Sequence, residues 1–316
     1  MDSEAITKRE YLLWSFLLTA VAFFWGTTFV LVKDALRDIT PINFIQIRFI
    51  GTIILALITL RWFYRQSTLK ELLFNKYGWF LGLLLYLTYF FQTVGLVFTT
   101  PSKAAFVTGM SVPLVPVFLL VFWRRKVSRK SIAWSFVAFL GLTVLTIKIS
   151  DIISVNLGDI IVIGTAVAIA FHLIYMEKYS QQENDGHLIL SQFLAMAVYS
   201  VIFFLIADFP FNGFDINIIF QFNVLFALFV TIVFATIFAF SIQIFAQKRG
   251  VSVIIVALIF ASEPVFALLT SLFVGAEELT INGFIGSSLI MIAILGIIIA
   301  QSKKIDEKIN QDSILE

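Results

Sequence analysis

"IIVALIFASEPVFALLTSLF", residues 254–273, is a twenty-residue run interrupted only by Ser262, Glu263, Pro264, Thr270 and Ser271. As a helix, such a run rises about 30 Å, the thickness of a bilayer's hydrocarbon core. Glu263 and Pro264 stand in its middle, where a charge is expensive and a proline removes a helical hydrogen bond. The length assigns the run to a membrane. The carboxylate and the proline ask what makes that position tolerable.

The rest of the chain agrees with the membrane class. Of its 316 residues, 60% are hydrophobic and 13% charged, and mean hydropathy is +0.98. A soluble fold cannot bury that much apolar surface. There is no cysteine, hence no disulfide and no thiolate site. The first apolar run is too long for a secretory leader, and no small-residue cleavage site follows it.

Ten spans are expected, at 12–32, 42–61, 78–98, 104–123, 131–149, 158–176, 188–207, 222–246, 250–274 and 281–300. Continuous runs of this length imply helices, because a lone helix satisfies its own backbone inside lipid. The connections are too short to hold a soluble domain. With ten spans, seventeen of the 22 basic residues gather on the side of the two termini. Four (Lys33, Arg37, Lys103 and Lys148) fall on the other, and Arg48 lies inside a span. The positive-inside rule then predicts cytoplasmic termini in a cell membrane, with a prokaryotic inner membrane as the natural setting. Trp14, Trp62, Trp79, Trp123 and Trp134 fall near the same helix ends, as an interfacial belt does, whereas Trp25 lies mid-span.

The chain also repeats itself weakly. "TTPSKAAFVTGMSVPLVPVF" (99–118) can be laid on "QKRGVSVIIVALIFASEPVF" (247–266), bringing Pro116 onto Pro264. "FVLVKDAL" (29–36) can be laid on "IYMEKYSQ" (174–181), with Lys33 on Lys178. Two units of five spans joined head to tail must run in opposite directions, because five is odd. The expected units are 12–149 and 158–300, with 301–316 as a cytoplasmic tail. Inverted repeats point to a secondary transporter with a midplane site between its halves.

Four segments carry a family resemblance: "WGTTFVLVKDAL" in the first span, "IQIRF" in the second, "TTPSKAAFVTGMSVPLVPVF" entering the fourth, and "SEPVFALLTSLFVGAEELT" through the ninth. In this order the chain resembles the EamA-type permeases of the drug/metabolite transporter superfamily over about residues 12–300. The resemblance implies an all-α integral membrane fold, two inverted five-helix repeats around a central cavity. It also implies movement of small organic solutes such as amino acids or related metabolites, with export favoured over uptake.

Each candidate residue has a bland reading beside the functional one. Glu263 either couples transport to protons or solute, or caps backbone beside the Pro264 kink. Pro113, Pro116 and Pro264 either shape a cavity or merely bend their helices. Arg48, roughly 10 Å into its helix at 1.5 Å per residue, either reaches back to the interface or binds an anionic group with its planar fork. Trp25 offers a stacking surface or simple packing. Tyr86, Tyr89 and Gln92 recur at intervals of three and could line a cavity. His172 and Tyr175 are weaker candidates near the end of the sixth span, and Gln243 reads as interhelical glue. "GWFLG" (78–82) reads as a helix-contact motif, and the pair His172 and Glu177 as helix decoration.

The chain contains no phosphate-binding loop, nucleophile elbow or metal-ligand cluster, so no ATP hydrolysis, cofactor or metal is expected. The basic stretch 124–130 reads as a membrane-side anchor for anionic lipid, not a nucleic-acid contact. The rivals to transport are a lipid-modifying membrane enzyme, which needs clustered acids or histidines at one face, and a non-transporting membrane component. Monomer and homodimer are equally open.

Overall fold

The computed structural model describes residues 6–146, 156–213, 216–275 and 278–315. Among them, nine helices are long and apolar enough to cross a membrane: Lys8–Ala35, Pro41–Leu60, Leu69–Phe98, Lys103–Val121, Leu157–Ser180, Asp185–Ala207, Phe222–Lys248, Val253–Phe273 and Ile281–Glu307. These are spans one to four and six to ten of the expected ten. The fifth is the helix Arg129–Thr146. It opens on two charges, and its expected end at 147–149, with Lys148, lies outside the described residues.

The side-chain contacts between loops establish that this fifth helix crosses too. At one end, Arg249 bonds Glu10, Lys8 bonds Asp306, Arg125 bonds Glu177, Lys248 bonds Asp185 and Asn75 bonds Glu183. At the other, Lys33 reaches Leu96, Thr99 and Lys103 reach Asp159, Thr40 reaches Asp208 and Asn223 reaches Asp38. The two sets share no loop. Arg125 precedes the fifth helix and sits at the first end, whereas Asp159 follows it and sits at the second, so the chain must cross between them. The first end is the basic end predicted from the lysines and arginines.

The halves are related by a pseudo-two-fold exchange of contacts. The second span packs on the seventh and the fifth on the tenth, each on its own counterpart. The first span packs on the eighth and ninth, while its counterpart, the sixth, packs on the third and fourth. Such an exchange is what two inverted five-helix units produce when they share an axis. The "GWFLG" motif does join helices: Gly78 faces Ser191 and Gly82 faces the backbone of Gln192, which brings the third span against the seventh. The helix of the tenth span does not stop near residue 300 but continues into the expected tail, Ile281–Leu315.

The distribution of apolar surface is that of a protein dissolved in lipid. Phe16, Ile58, Phe136, Ile206, Leu269 and Ile292 all face outward, while Ser191, Gln192, Gln243, His172, Thr52 and Thr231 are buried. Inside a bilayer, burial of apolar side chains provides little drive for helix association, and small residues with interhelical hydrogen bonds do more of the work.

Candidate functional site

Three of the spans depart from regular α-helix near their middles. The fourth is broken at Met110 into Pro101–Gly109 and Ser111–Val121, and the ninth at Ala261–Ser262 into Val253–Phe260 and Glu263–Phe273. Pro264 therefore stands at the second position of a helix, where its missing N–H is no loss. Pro113 stands third in its half-helix, one position further from the break than Pro264. Counted from the breaks, Pro113 lies nearer than Pro116 to the place of Pro264. With two prolines three residues apart and little identity around them, the sequence could not choose. Pro116 lies inside its helix. The first residue of the fourth span's second half-helix, where the ninth has Glu263, is Ser111, so the carboxylate belongs to one half alone.

The eighth span departs differently. Its centre, Val233–Phe238, is a π-helical segment between Phe222–Ile232 and Ala239–Lys248. The wider turn lets the Thr236 hydroxyl donate to the carbonyl of Thr231, five residues back, at 2.7 Å. It also presents the carbonyl of Ala235 sideways, where Trp25 Nε1 donates to it at 2.8 Å and Tyr89 Oη at 3.2 Å. Segments of this kind recur at functional sites.

Arg48 completes this cluster. Its Nη2 and Nε donate to Thr236 Oγ1 at 2.8 and 3.2 Å, and its guanidinium carbon lies 4.0 Å from the centroid of the Tyr89 ring. The residue is only 3% exposed. It does not reach back to the interface, and among the described residues it pairs with no carboxylate, Glu263 included. A buried cation held by a hydroxyl and a ring retains donors for an anion.

Glu263 lies against the first span. Its backbone packs on Gly26, next to Trp25, so closely that a Cβ on Gly26 would come within 2.5 Å of the Glu263 carbonyl. Phe260, one turn earlier, meets the Trp25 ring at 4.6 Å. The Glu263 side chain is 7% exposed, and among the described residues its carboxylate has neither hydrogen-bond nor ion-pair partner. Among the described residues it caps no backbone beside the break.

The structure thus brings together Trp25, Arg48, Tyr89 and Glu263 and leaves other candidates apart. Tyr86 points toward the seventh span, among Phe90, Tyr199 and Phe203. Gln92 Nε2 donates to Thr108 Oγ1 on the fourth span at 3.5 Å. Intervals of three advance about 60° around a helix, enough to send Tyr86, Tyr89 and Gln92 to three neighbours instead of one cavity wall. Tyr175 belongs to an aromatic group with Phe80, Trp123 and Tyr179 at the basic end, and His172 to a separate polar group. Gln243 bonds along its own helix to Gln247 at 3.4 Å and is not itself the interhelical link. That link is Gln247, whose Nε2 donates to the Leu173 carbonyl at 3.1 Å.

Glu177 is no decoration. It accepts from Arg125 of the other half, and its Oε1 accepts from the N–H of Val253 at 2.7 Å, at the start of the ninth span. Beside it lies a recess of about 490 Å³ open at the basic end, lined by Trp123, Arg125, Glu177, Lys178, Gln181 and Gln247 among others. Trp25, Arg48, Tyr89 and Glu263 of the midplane cluster are all buried.

A family model for EamA-like transporters matches residues 12–147 and again 156–299. The chain belongs to the EamA-like transporter family. The two matches coincide with the two five-helix halves. An uncharacterized transporter of Archaeoglobus fulgidus is 31% identical over 279 residues, covering 88% of this chain and 83% of its own. A crystal structure 16% identical superposes with TM-score 0.70 over 89% of this chain and 96% of the other, a likeness of fold. This EamA-like protein is accordingly a multi-pass membrane transporter and not an enzyme.

Proposed function

We propose that the transporter exports small organic solutes, amino acids or related metabolites among them, by alternating access around the Trp25–Arg48–Tyr89–Glu263 cluster, and that Glu263 couples the movement to protons. The observation that carries this reading is a buried carboxylate that has no partner among the described residues, set at a helix break beside a buried guanidinium that meets, among those residues, only a hydroxyl and aromatic rings. A structural role would leave such groups bonded to one another or to backbone. Separated, each is free to engage a solute group or a proton in turn.

In this reading the basic end, with both termini, faces the cytoplasm of a prokaryotic inner membrane. The units 12–149 and 158–300 rock against each other, flexing at the breaks near Met110 and Ala261. Arg48 receives the anionic group of the solute, Trp25 and Tyr89 flank its apolar part, and Glu263 is protonated from one side and deprotonated to the other. Breaks in matching spans of inverted halves are the usual placement of such a site.

The test is flux in proteoliposomes. A panel of amino acids and other metabolites is followed with and without an imposed pH gradient. Solute flux that the gradient accelerates supports the reading. Flux of nothing in the panel counts against transport of this solute class, and flux indifferent to the gradient removes the proton.

A further inference from the structure

Between the recess and the midplane, the sixth, seventh and eighth spans enclose polar side chains that the Trp25–Glu263 cluster does not use. His172, Gln192 and Gln243 are fully buried, and Gln247 is 1% exposed. The hydrogen bonds among these side chains are few and long: His172 Nε2 to Gln192 Oε1 at 3.4 Å, and Gln243 Nε2 to Gln247 Oε1 at 3.4 Å. Among the described residues, His172 Nδ1, Gln192 Nε2 and Gln243 Oε1 have no partner at all.

Their chemistry is complementary. Facing the oxygen of Gln192, the His172 Nε2 carries the proton, so Nδ1 is an acceptor. Gln243 Oε1 is a second acceptor, and Gln192 Nε2 is a donor. Each buried polar atom left unpaired costs about 1–3 kcal/mol, so three in one neighbourhood weigh heavily against the ~5–15 kcal/mol by which a fold is stable. A ligand with two donated hydrogens and an acceptor lone pair satisfies all three kinds of atom. Water is that ligand, and internal waters typically make about three such bonds.

Gln247 joins these atoms to the recess: it lines that space, and the same side chain bonds to Gln243 behind it. At the inner end the His172 ring meets Phe240 at 5.5 Å, and Phe240 meets Trp25 at 5.7 Å and Tyr89 at 6.3 Å. We infer that His172, Gln192 and Gln243 hold internal water that is continuous with the recess through Gln247, a hydrated branch that enters the second half from the basic end and stops at Phe240. The branch brings water to within one aromatic ring of the midplane cluster.

The chain has no cysteine, so single cysteines report without background. Gln243→Cys, Gln192→Cys and, as control, Leu190→Cys on the same helix as Gln192 and equally buried, are placed in proteoliposomes and exposed to silver ion. Ion-blocked thiol is read as loss of maleimide labelling after denaturation. Thiolate forms only where water reaches, and a dry position reacts only through local opening that costs several kcal/mol. Silver should therefore block the two glutamine positions at least about 100-fold faster than the control. Equal rates at all three would overturn the branch. Where a cysteine variant does not fold, radiolytic hydroxyl labelling of the unaltered protein decides: His172 labelled despite its burial supports bound water, and His172 unlabelled overturns it. Both readings report water and not solute flux, so failure here leaves the transport reading standing, and failure of transport leaves this one.

Discussion

Glu263 and Arg48 pose the same problem at the residue scale: an ionisable group, buried at mid-membrane, without a partner of opposite charge among the described residues. Such groups are tolerated when they face the protein interior or water, and retained when they do something. For Glu263 the expected outcome of Glu263→Gln is a folded protein whose flux no longer responds to a pH gradient, the gradient-driven component falling at least about tenfold, or ~1.4 kcal/mol. Flux assays from pH 5.5 to 8.5 check this, and wild-type pH dependence in the variant would refute the coupling role. For Arg48 the sharper variant is Arg48→Met. It keeps the length and removes the desolvated charge, and replacing buried charges by apolar groups is commonly neutral or stabilising by about 1–4 kcal/mol. The melting temperature should hold or rise while transport of carboxylated solutes is lost. A variant that melts earlier and still transports would make Arg48 a structural residue.

At the element scale, the site is built from departures in helices that otherwise run straight. How far these were legible depends on the residue that causes each. The break in the ninth span was visible because proline is unambiguous, and Glu263 because a carboxylate in an apolar run is rare. The π-helical segment at Val233–Phe238 was invisible. "TIVFATIFAF" (231–240) contains neither glycine nor proline, and only Thr231 and Thr236, five apart, hint at the wider turn. With it the sequence reading missed the Ala235 carbonyl, Thr236 and Phe240, which bind the first, second and third spans to the eighth. Glu177 was missed because its partners, Arg125 and the Val253 N–H, lie 52 and 76 residues away, and periodicity within one helix says nothing of them.

The crossing of the first and ninth spans belongs to the same scale. Gly26 is required there because the Glu263 carbonyl and the Ala267 nitrogen occupy the space of a side chain, the latter 2.8 Å from where a Cβ would lie. Both are backbone atoms and cannot turn aside. Gly26→Leu should push the half-helix Glu263–Phe273 off the first span, destabilising the protein by about 1–3 kcal/mol as overpacking does. It should also separate Glu263 from Trp25. A lowered melting temperature with abolished flux is expected, and unchanged values would mean that the two spans are free to shift.

The whole molecule was legible in outline from charge and length alone, because the constraint that lipid places on backbone leaves few alternatives. Ten spans and two inverted halves needed no knowledge of any contact. The state in which the molecule rests is another matter, since it depends on how the halves meet. At the basic end Arg125 of the first half reaches Glu177 of the second, and Glu177 also holds the Val253 N–H, while Gln181 on the same helix donates to the Gln247 and Lys248 carbonyls at 2.7 and 3.2 Å. One helix end thus clasps the turn between the eighth and ninth spans from both sides. An exposed ion pair alone contributes about 0–1 kcal/mol, and the Arg125 side chain is 48% exposed. The half-buried bond to the backbone amide should contribute more. Glu177→Ala is therefore expected to open the basic end further than Arg125→Ala does. A cysteine at Leu119, a buried residue on the recess wall, should react about fivefold faster with a water-soluble thiol reagent in the Glu177→Ala background, the factor that ~1 kcal/mol confers. Arg125→Ala should raise the rate less, and adding it to Glu177→Ala should change little, because the pair it breaks is already gone. Equal effects of the two single variants would assign the closure to the ion pair and take the Val253 amide out of it.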